Sequence, residues 1–214
     1  MQHVHADMQV RRDRGGKLMS GNEKIINIIF AGVGGQGVLL VSGIVSQAAI
    51  LSGADVKGNE VHGMAQRGGS VLAQVRFGAK VYSPLVWEGT VDLLVSLEES
   101  EALRYAHFLK SDGVAVVSKQ RIIPVTVSTG KAKYPADVEE RLSRVFPNLV
   151  MIDAQEIAHS VGNAKAANVV ALGAAASTLP TLAPFWEQAI AASVSEKYLD
   201  LNLRAFKAGG EYSK

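Results

Sequence analysis

The stretch "IINIIFAGVGGQGVLLVSGIVSQAAI", Ile25 to Ile50, decides the fold. Ile25 to Ala31 is almost continuously apolar, the pattern of a parallel strand covered on both faces. Glycines at 32, 34, 35 and 37 follow it. From about Gly35 to Ser52 the residues Val38, Val41, Val45, Ala48 and Ala49 recur at helical spacing. Ser42, Gly43 and Ser46 are small enough to let that helix lie close to a sheet, and Gly53 ends it. Gly32, Gly34 and Gly37 satisfy G-x-G-x-x-G, after a strand and opening a helix. Glycines allow a tight turn and close approach of a ligand, and a helix N-terminus offers free N–H groups to an anion. Spacing alone leaves two readings open: an anion or phosphate site, or a turn that simply packs helix on strand.

A dinucleotide site makes a further demand. An acid should stand about 20 residues on, at the end of the second strand, to hold a ribose. That strand is expected at "ADVKG". Asp55 falls near its start, Lys57 in its middle and Glu60 beyond its end, so no acid fits and an NAD site is disfavoured.

Working outward, "NEVHGMAQRGG" (Asn59 to Gly69) shows neither strand nor helix period and reads as a loop. "SVLAQVRFG" alternates, with Val71, Ala73, Val75 and Phe77 on one face, and is expected to pair with "KVYSP" through a turn at Gly78 and Ala79. "VDLLVS" is a buried strand. Ser96 and Glu99 form a capping-box pattern for a helix from Leu97 to Leu109, with Glu98, Glu99 and Glu101 in its first turn, where the helix dipole favours acids. Gly113 to Val117 reads as a strand, Ala136 to Phe146 as a helix and Leu149 to Ile152 as a last parallel strand. Asp153 reads as a helix cap. Lys165 to Ser177 is a helix rich in small residues, suited to close packing. Pro184 opens a helix to about Ala192. Ser193 and Glu196 suggest a second capping box, for a final helix ending at Ala208 before Gly209 and Gly210. The alternation implies an α/β fold: a doubly wound, mostly parallel Rossmann-like sheet with a C-terminal helical segment.

The 214 residues and 48% hydrophobic content suit one domain over residues 19–214. Residues 1–18 show no periodicity and no apolar h-region, and read as a disordered extension rather than a signal peptide. They carry Arg11, Arg12, Arg14 and Lys17 against Asp7 and Asp13; the rest of the chain holds 18 basic and 18 acidic residues. That balance gives no gross electrostatic footprint for nucleic acid. No apolar run reaches membrane-spanning length. There is no cysteine, which excludes disulfides, thiolate chemistry and a cysteine-ligated cluster in this sequence and suits a cytoplasmic, anaerobic setting.

The loop is the most informative functional stretch. It follows a strand at an end where open α/β sheets place their sites. Glu60, His62, Gln66 and Arg67 sit with Met64 on a backbone punctuated by Gly58, Gly63, Gly68 and Gly69, a composition more typical of a site or interface than of a bland solvated turn. His107 and His159 read as surface residues near helix ends, Trp87 and Trp186 as packing or interface anchors, and Glu98 and Glu99 as first-turn acids. No residue is assigned to metal, and His3 and His5 are given no role.

Together "GVGGQGVLL", "GADVKGNEVHGMAQRGGSVLAQVRFG", "VYSPLVWEG", "LEESEALR", "AANVVALGAAA" and "NLRAF" resemble, in order and spacing from about Ile25 to Gly210, the gamma-type component of 2-oxoacid:ferredoxin oxidoreductases. The "EVHGMAQRGGSV" form is most similar to the beta subunit of indolepyruvate ferredoxin oxidoreductases. The resemblance implies oxidative decarboxylation of a 2-oxoacid with thiamine diphosphate, coenzyme A and ferredoxin. It puts thiamine and iron–sulfur clusters on a large alpha subunit, makes this chain inactive alone, and assigns it no catalytic residue. The sequence fits this division, lacking both cysteine and the G-D-G…N-N pattern of thiamine sites. Carried over, Gly32, Gly34, Gly35, Gln36 and Gly37, with Lys57, would meet the phosphates of coenzyme A. Glu60, His62, Met64, Gln66, Arg67, Gly68, Gly69 and Ser70 would form an active-site or partner-facing loop, in which Arg67 could hold a carboxylate. The competing readings are a free-standing NAD(P)-binding oxidoreductase and a non-catalytic binding module of the same fold.

Overall fold

The computed structural model describes residues 24–62, 68–123, 134 and 136–212. Residues 1–18, and with them the expected extension, lie outside the described residues, as do Met64, Gln66 and Arg67.

The opening apolar run forms β1 (Ile26–Val33), buried from Ile28 onward. It feeds α1 (Val38–Leu51), which begins three residues later than expected because Gly37 is the N-cap, in the left-handed region at φ 80°. The second strand, β2 (Asp55–His62), is longer than "ADVKG" and takes in Asn59 to His62 of the expected loop. It turns back into β3 (Ser70–Gly78). Then follow β4 (Val91–Ser96), α2 (Glu99–Arg104), a one-turn 3-10 helix (Ala106–Phe108), β5 (Leu109–Ser118), α3 (Val138–Val145) and β6 (Asn148–Ile152). The chain ends in α4 (Ala154–Ser160), α5 (Ala167–Ala175), a 3-10 segment (Pro180–Phe185) holding Pro184, α6 (Trp186–Ser193) and α7 (Glu196–Tyr212).

The strands make one sheet in the order β2-β3-β1-β4-β5-β6. β1, β4, β5 and β6 are parallel neighbours, and β3 opposes both β1 and β2. Ile28, Phe30, Val71, Ala73, Val75, Phe77, Leu93 and Val95 pack on one face with Val41, Ile44, Val45 and Ala48 of α1 and with α5 and α6. Ile29, Ala31, Leu72, Leu94, Ala115 and Val117 pack on the other face with Ala102, Val138, Leu142 and Phe146. The alternation read in "SVLAQVRFG" thus divides β3 between two cores.

Several local expectations change. β3 does not pair with "KVYSP"; it lies between β2 and β1, and residues 79–90 hold no strand among the described residues. That segment is pinned across the sheet end. The Val81 N–H donates to Asp55 Oδ2 (2.9 Å), and Arg76 Nη1 donates to the carbonyls of Ser83 (2.8 Å) and Leu85 (2.9 Å). Its Tyr82 and Trp87 are 87% and 77% exposed, so Trp87 is not a packing anchor within the chain; Trp186 is, buried against Phe206 with ring centroids 5.5 Å apart. The helix expected to run to Leu109 stops at Arg104, since Leu109 already begins β5. Its cap is Glu98, whose carboxylate accepts from the Glu101 N–H (2.9 Å), while Ser96 donates its hydroxyl to the Glu98 carbonyl (2.6 Å). Asp153 caps α4 as expected, accepting from the Glu156 N–H at 3.0 Å. Ser193 is the last residue of α6, with its hydroxyl on the Ala189 carbonyl, so it caps nothing downstream.

The final helix does not stop before Gly209 and Gly210; it runs through both. The reason is its crossing with α5, all nine residues of which are buried. A Cβ on Gly173 would stand 2.0 Å from the Phe206 carbonyl oxygen, and one on Gly209 would stand 2.0 Å from the Val170 oxygen. Backbone rests on backbone there, and a side chain at either position has no room.

Candidate functional site

The glycine turn leaves β1 at the C-terminal ends of the parallel strands. Gly34 donates its N–H to the Gly69 carbonyl (2.8 Å), and the Gln36 N–H closes back on the Val33 carbonyl (3.0 Å). Gly35 adopts φ 103° and Gly37 φ 80°, conformations costly for any residue with a Cβ. Gly32 belongs to the packing: a Cβ there would fall 2.9 Å from both Gln36 Oε1 and Val38 Cγ2. At Gly37 a Cβ would strike Asn168 Nδ2 at 2.3 Å. Asn168, buried at the start of α5, donates to the Gly37 carbonyl at 3.2 Å and so ties the two helices together at the turn.

Gln36 has a different task from the one expected. Its Oε1 accepts from the Val33 N–H (2.7 Å), and its Nε2 donates to the Leu97 carbonyl (2.6 Å) and to Gln120 Oε1 (2.8 Å). The side chain therefore laces the turn to the ends of β4 and β5. It is a positioning residue with little left to offer a ligand.

Beside this turn lies a cavity of about 570 Å³. The turn Gly34–Gly37 forms one wall. Leu97, Ser118, Gln120 and Ile122, beyond the ends of β4 and β5, form a second, and Gln155, Ala164, Lys165, Ala167 and Asn168 close the third. This is where open α/β sheets bind ligands. The first turn of α1 carries no acid and no side-chain cap; the Leu40 and Val41 N–H groups turn back to the Gly37 carbonyl, which leaves those of Val38 and Leu39 to meet an anion. Among the described residues no carboxylate lines the cavity, and Lys165 is the one charged residue in its walls.

The β2–β3 hairpin borders the turn on the other side. By register His62 pairs with Val71, which pairs with Gly32, so β2 ends level with the glycine turn. The Gly68 N–H donates to the Gly34 carbonyl (3.4 Å), completing a two-bond bridge with the Gly34–Gly69 bond. The two glycine-bearing motifs of the sequence are thus physically joined. Ser70 follows at the foot of β3. Its hydroxyl donates to Glu101 and lies 3.0 Å from the Tyr105 hydroxyl, so it secures the hairpin to α2. Glu60 lies within β2, and for His62 the structure describes the backbone alone.

Lys57 does not join the site. It pairs through Arg76 with Asn27, near the start of β1, five to six rows and so roughly 17–20 Å from the turn. There it binds Asp55 at 2.8 Å. That contact, with the Val81 N–H, lowers the Asp55 carboxyl to about 2. The geometry also departs from a dinucleotide fold: the strand beside β1 on this side is the antiparallel β3, and β2 stands one place further out with Asp55 at its far end.

The first-turn acids are more deeply placed than a surface helix would have them. Glu98 is 0% exposed and accepts from Ser100 Oγ (2.6 Å), the Ile122 N–H (3.3 Å) and Tyr134 (2.6 Å). Burial, and then the Glu98 carboxylate, raise the Tyr134 phenol above its ordinary value. Glu99 pairs with Arg121 at 2.6 Å. These acids are consumed in anchoring Arg121, Ile122 and Tyr134, of which Ile122 lines the cavity.

Lys165, Gln120, Gln155 and Asn168 were not legible as site residues. Asn168 sits in the quoted "AANVVALGAAA" with nothing to set it apart. Gln120 could have been suspected, because it follows a parallel strand's C-terminal end.

The model of the pyruvate ferredoxin/flavodoxin oxidoreductase family matches residues 27–212. The chain belongs to that family. It is 43% identical over 188 residues to the indolepyruvate oxidoreductase subunit IorB of Archaeoglobus fulgidus, covering 86% of this chain and 93% of that one. It is 41% identical over 199 residues to IorB of Pyrococcus horikoshii, covering 89% and 97%. Among solved structures it is similar to the gamma subunit of a keto/oxoacid ferredoxin oxidoreductase from Geobacter sulfurreducens, with a TM-score of 0.66, 26% identity, and 88% and 98% covered. The expected resemblance and the α/β fold both hold. The chain is an oxidoreductase-family subunit, and among the described residues no helix is long and apolar enough to cross a membrane.

Proposed function

We propose that this chain, with residues 19–214 as one domain, is the small subunit of an indolepyruvate-type 2-oxoacid:ferredoxin oxidoreductase. It supplies the seat for coenzyme A, while a large partner subunit carries thiamine diphosphate and iron–sulfur clusters and hands electrons to ferredoxin. The net reaction takes a 2-oxoacid anion, the thiol of coenzyme A and two oxidised ferredoxins to an acyl-CoA, carbon dioxide, two reduced ferredoxins and one proton. The observation that carries this reading is the cavity of about 570 Å³ at the strand ends, walled by Gly34 to Gly37 and, among the described residues, free of carboxylates. It suits an anionic, elongated co-substrate.

In this reading the residues of this chain bind and orient and do no covalent chemistry. The turn and the first N–H groups of α1 meet phosphate oxygens, and Gln36 keeps the turn in register with β4 and β5. The hairpin that includes Glu60, His62, Met64, Gln66, Arg67, Gly68, Gly69 and Ser70 faces the large subunit. The absence of cysteine from the sequence supports placing the clusters elsewhere. Thiamine on the partner supplies the decarboxylation chemistry.

The test is an anaerobic pull-down of the tagged chain from its native cells. The eluate is assayed for coenzyme A-dependent reduction of a viologen dye by indolepyruvate, phenylpyruvate and pyruvate. A co-purifying large subunit with activity on the aryl substrates is the expected result. A well-expressed chain that emerges alone and inactive overturns the subunit reading.

A further inference from the structure

The hydrogen bonds around Gln36 determine which atoms face the cavity. The Val33 N–H can only donate, so the Gln36 atom 2.7 Å from it is the amide oxygen. The other end of that amide is then Nε2, in agreement with its contact to the Leu97 carbonyl, which can only accept. The Gln120 atom that Nε2 meets at 2.8 Å must be an acceptor, Oε1. Gln120 therefore spends its acceptor on Gln36 and keeps its NH₂ group, for which no partner stands among the described residues. Gln120 is also a cavity wall.

Lys165 adds the charge. It lines the same cavity, and its ammonium pairs with no acid among the described residues, whereas Lys57 is already committed to Asp55. The wall of β5's end and the wall before α5 thus present donors that cannot be satisfied by each other. From this we infer that Gln120 and Lys165 together recognise a phosphoryl group of the bound co-substrate, with Gln120 held in its donor orientation by Gln36. The inference rests on the cavity being the coenzyme A seat and assigns the phosphate contact to these two residues in place of Lys57.

Calorimetric titration of the full chain with coenzyme A, ADP and pantetheine tests it, since pantetheine lacks every phosphate. Two variants are informative. Lys165→Ala removes the charge at an exposed position. Gln120→Glu keeps an oxygen for Gln36 and replaces the donor by an acceptor. Each is expected to weaken coenzyme A and ADP about tenfold, the scale of one lost charge-assisted hydrogen bond, and to leave pantetheine unchanged. Thermal melting controls for folding, and Lys165→Ala carries the test alone if Gln120→Glu unfolds. Coenzyme A that binds the wild type and both variants equally overturns the assignment and spares the coenzyme A seat. ADP binding that depends on Lys165, without coenzyme A binding, overturns the seat and spares the assignment. A wild-type chain that binds neither phosphorylated ligand overturns both.

Discussion

Gly34 and Gly69 are joined backbone to backbone. The Gly34 N–H donates to the Gly69 carbonyl at 2.8 Å, and the Gly34 carbonyl accepts from Gly68 at 3.4 Å. The bonds carry the β1–β3 ladder past its last strand pair, Val33 with Ser70. The turn beside the cavity and the hairpin that ends β2 therefore share one mechanical unit. Gly68 supplies the bend, at φ 77° with open space around its Cα. Gly68→Ala is expected to cost about 1–2 kcal/mol through backbone strain alone. Hydrogen exchange reads it directly: the Gly34 amide should exchange about tenfold faster, while amides in the middle of β1 keep their protection.

Gln36 joins three elements through one amide, so its loss should be felt in stability as well as in ligand binding. Gln36→Leu leaves the Val33 N–H and the Leu97 carbonyl without their partner and is expected to cost about 2–3 kcal/mol in urea unfolding. The same variant frees Gln120 to rotate, and coenzyme A affinity should fall with it. Unchanged unfolding would mean that solvent replaces these bonds without loss.

The crossing of α5 and α7 gives a sharp contrast between glycines. Gly173→Ala and Gly209→Ala each drive a methyl to 2.0 Å from a carbonyl oxygen and should cost about 3 kcal/mol. Gly43→Ala, on the exposed side of α1 with nothing within 4 Å, should stabilise by about 0.5–1 kcal/mol. Thermal melts of the three variants against wild type decide this.

Asp55 supplies a pH prediction. Its carboxyl is lowered from 3.8 to about 2 by the hydrogen bond from Lys57, then by the Val81 N–H. A carboxyl depressed in the folded state stabilises that state above its unfolded value and loses the contribution as pH falls through the folded one. Asp55→Asn should thus be less stable than wild type at neutral pH, and the difference should close between pH 3.8 and about 2. Lys57→Met should raise the Asp55 value in an NMR titration and leave coenzyme A affinity unaltered, because Lys57 stands at the far end of the sheet. A loss of coenzyme A binding in that variant would return Lys57 to the site.

What the sequence disclosed followed from local periodicity. β1, α1 and the two faces of β3 could be read because burial imposes a strand or helix period on neighbouring residues. The order β2-β3-β1 could not. Alternation in "SVLAQVRFG" reports which side chains share a face and says nothing of which strands lie alongside, so "KVYSP" looked as good a partner as β1. Gly209 and Gly210 misled for a related reason: a glycine pair after an amphipathic run signals a helix end, unless a second helix needs the space, and Gly173 lies 36 positions earlier in the chain. In the site, the glycine turn announced itself by spacing. Gln120 and Lys165 did not, because two ordinary polar residues gain meaning only from Gln36 and from a cavity assembled out of three separate segments.

The glycine crossing has a consequence for how this chain can vary. Where backbone meets backbone, the choice of residue at Gly173 is conditioned by the main chain of Phe206, and that at Gly209 by the main chain of Val170. No compensating substitution can relieve either, since a carbonyl cannot be mutated away. In a saturation scan both positions should accept glycine alone, while the apolar residues around them trade freely among themselves. The crossing sets where α5 lies, and through Asn168 at the head of α5 it holds the position of the cavity wall.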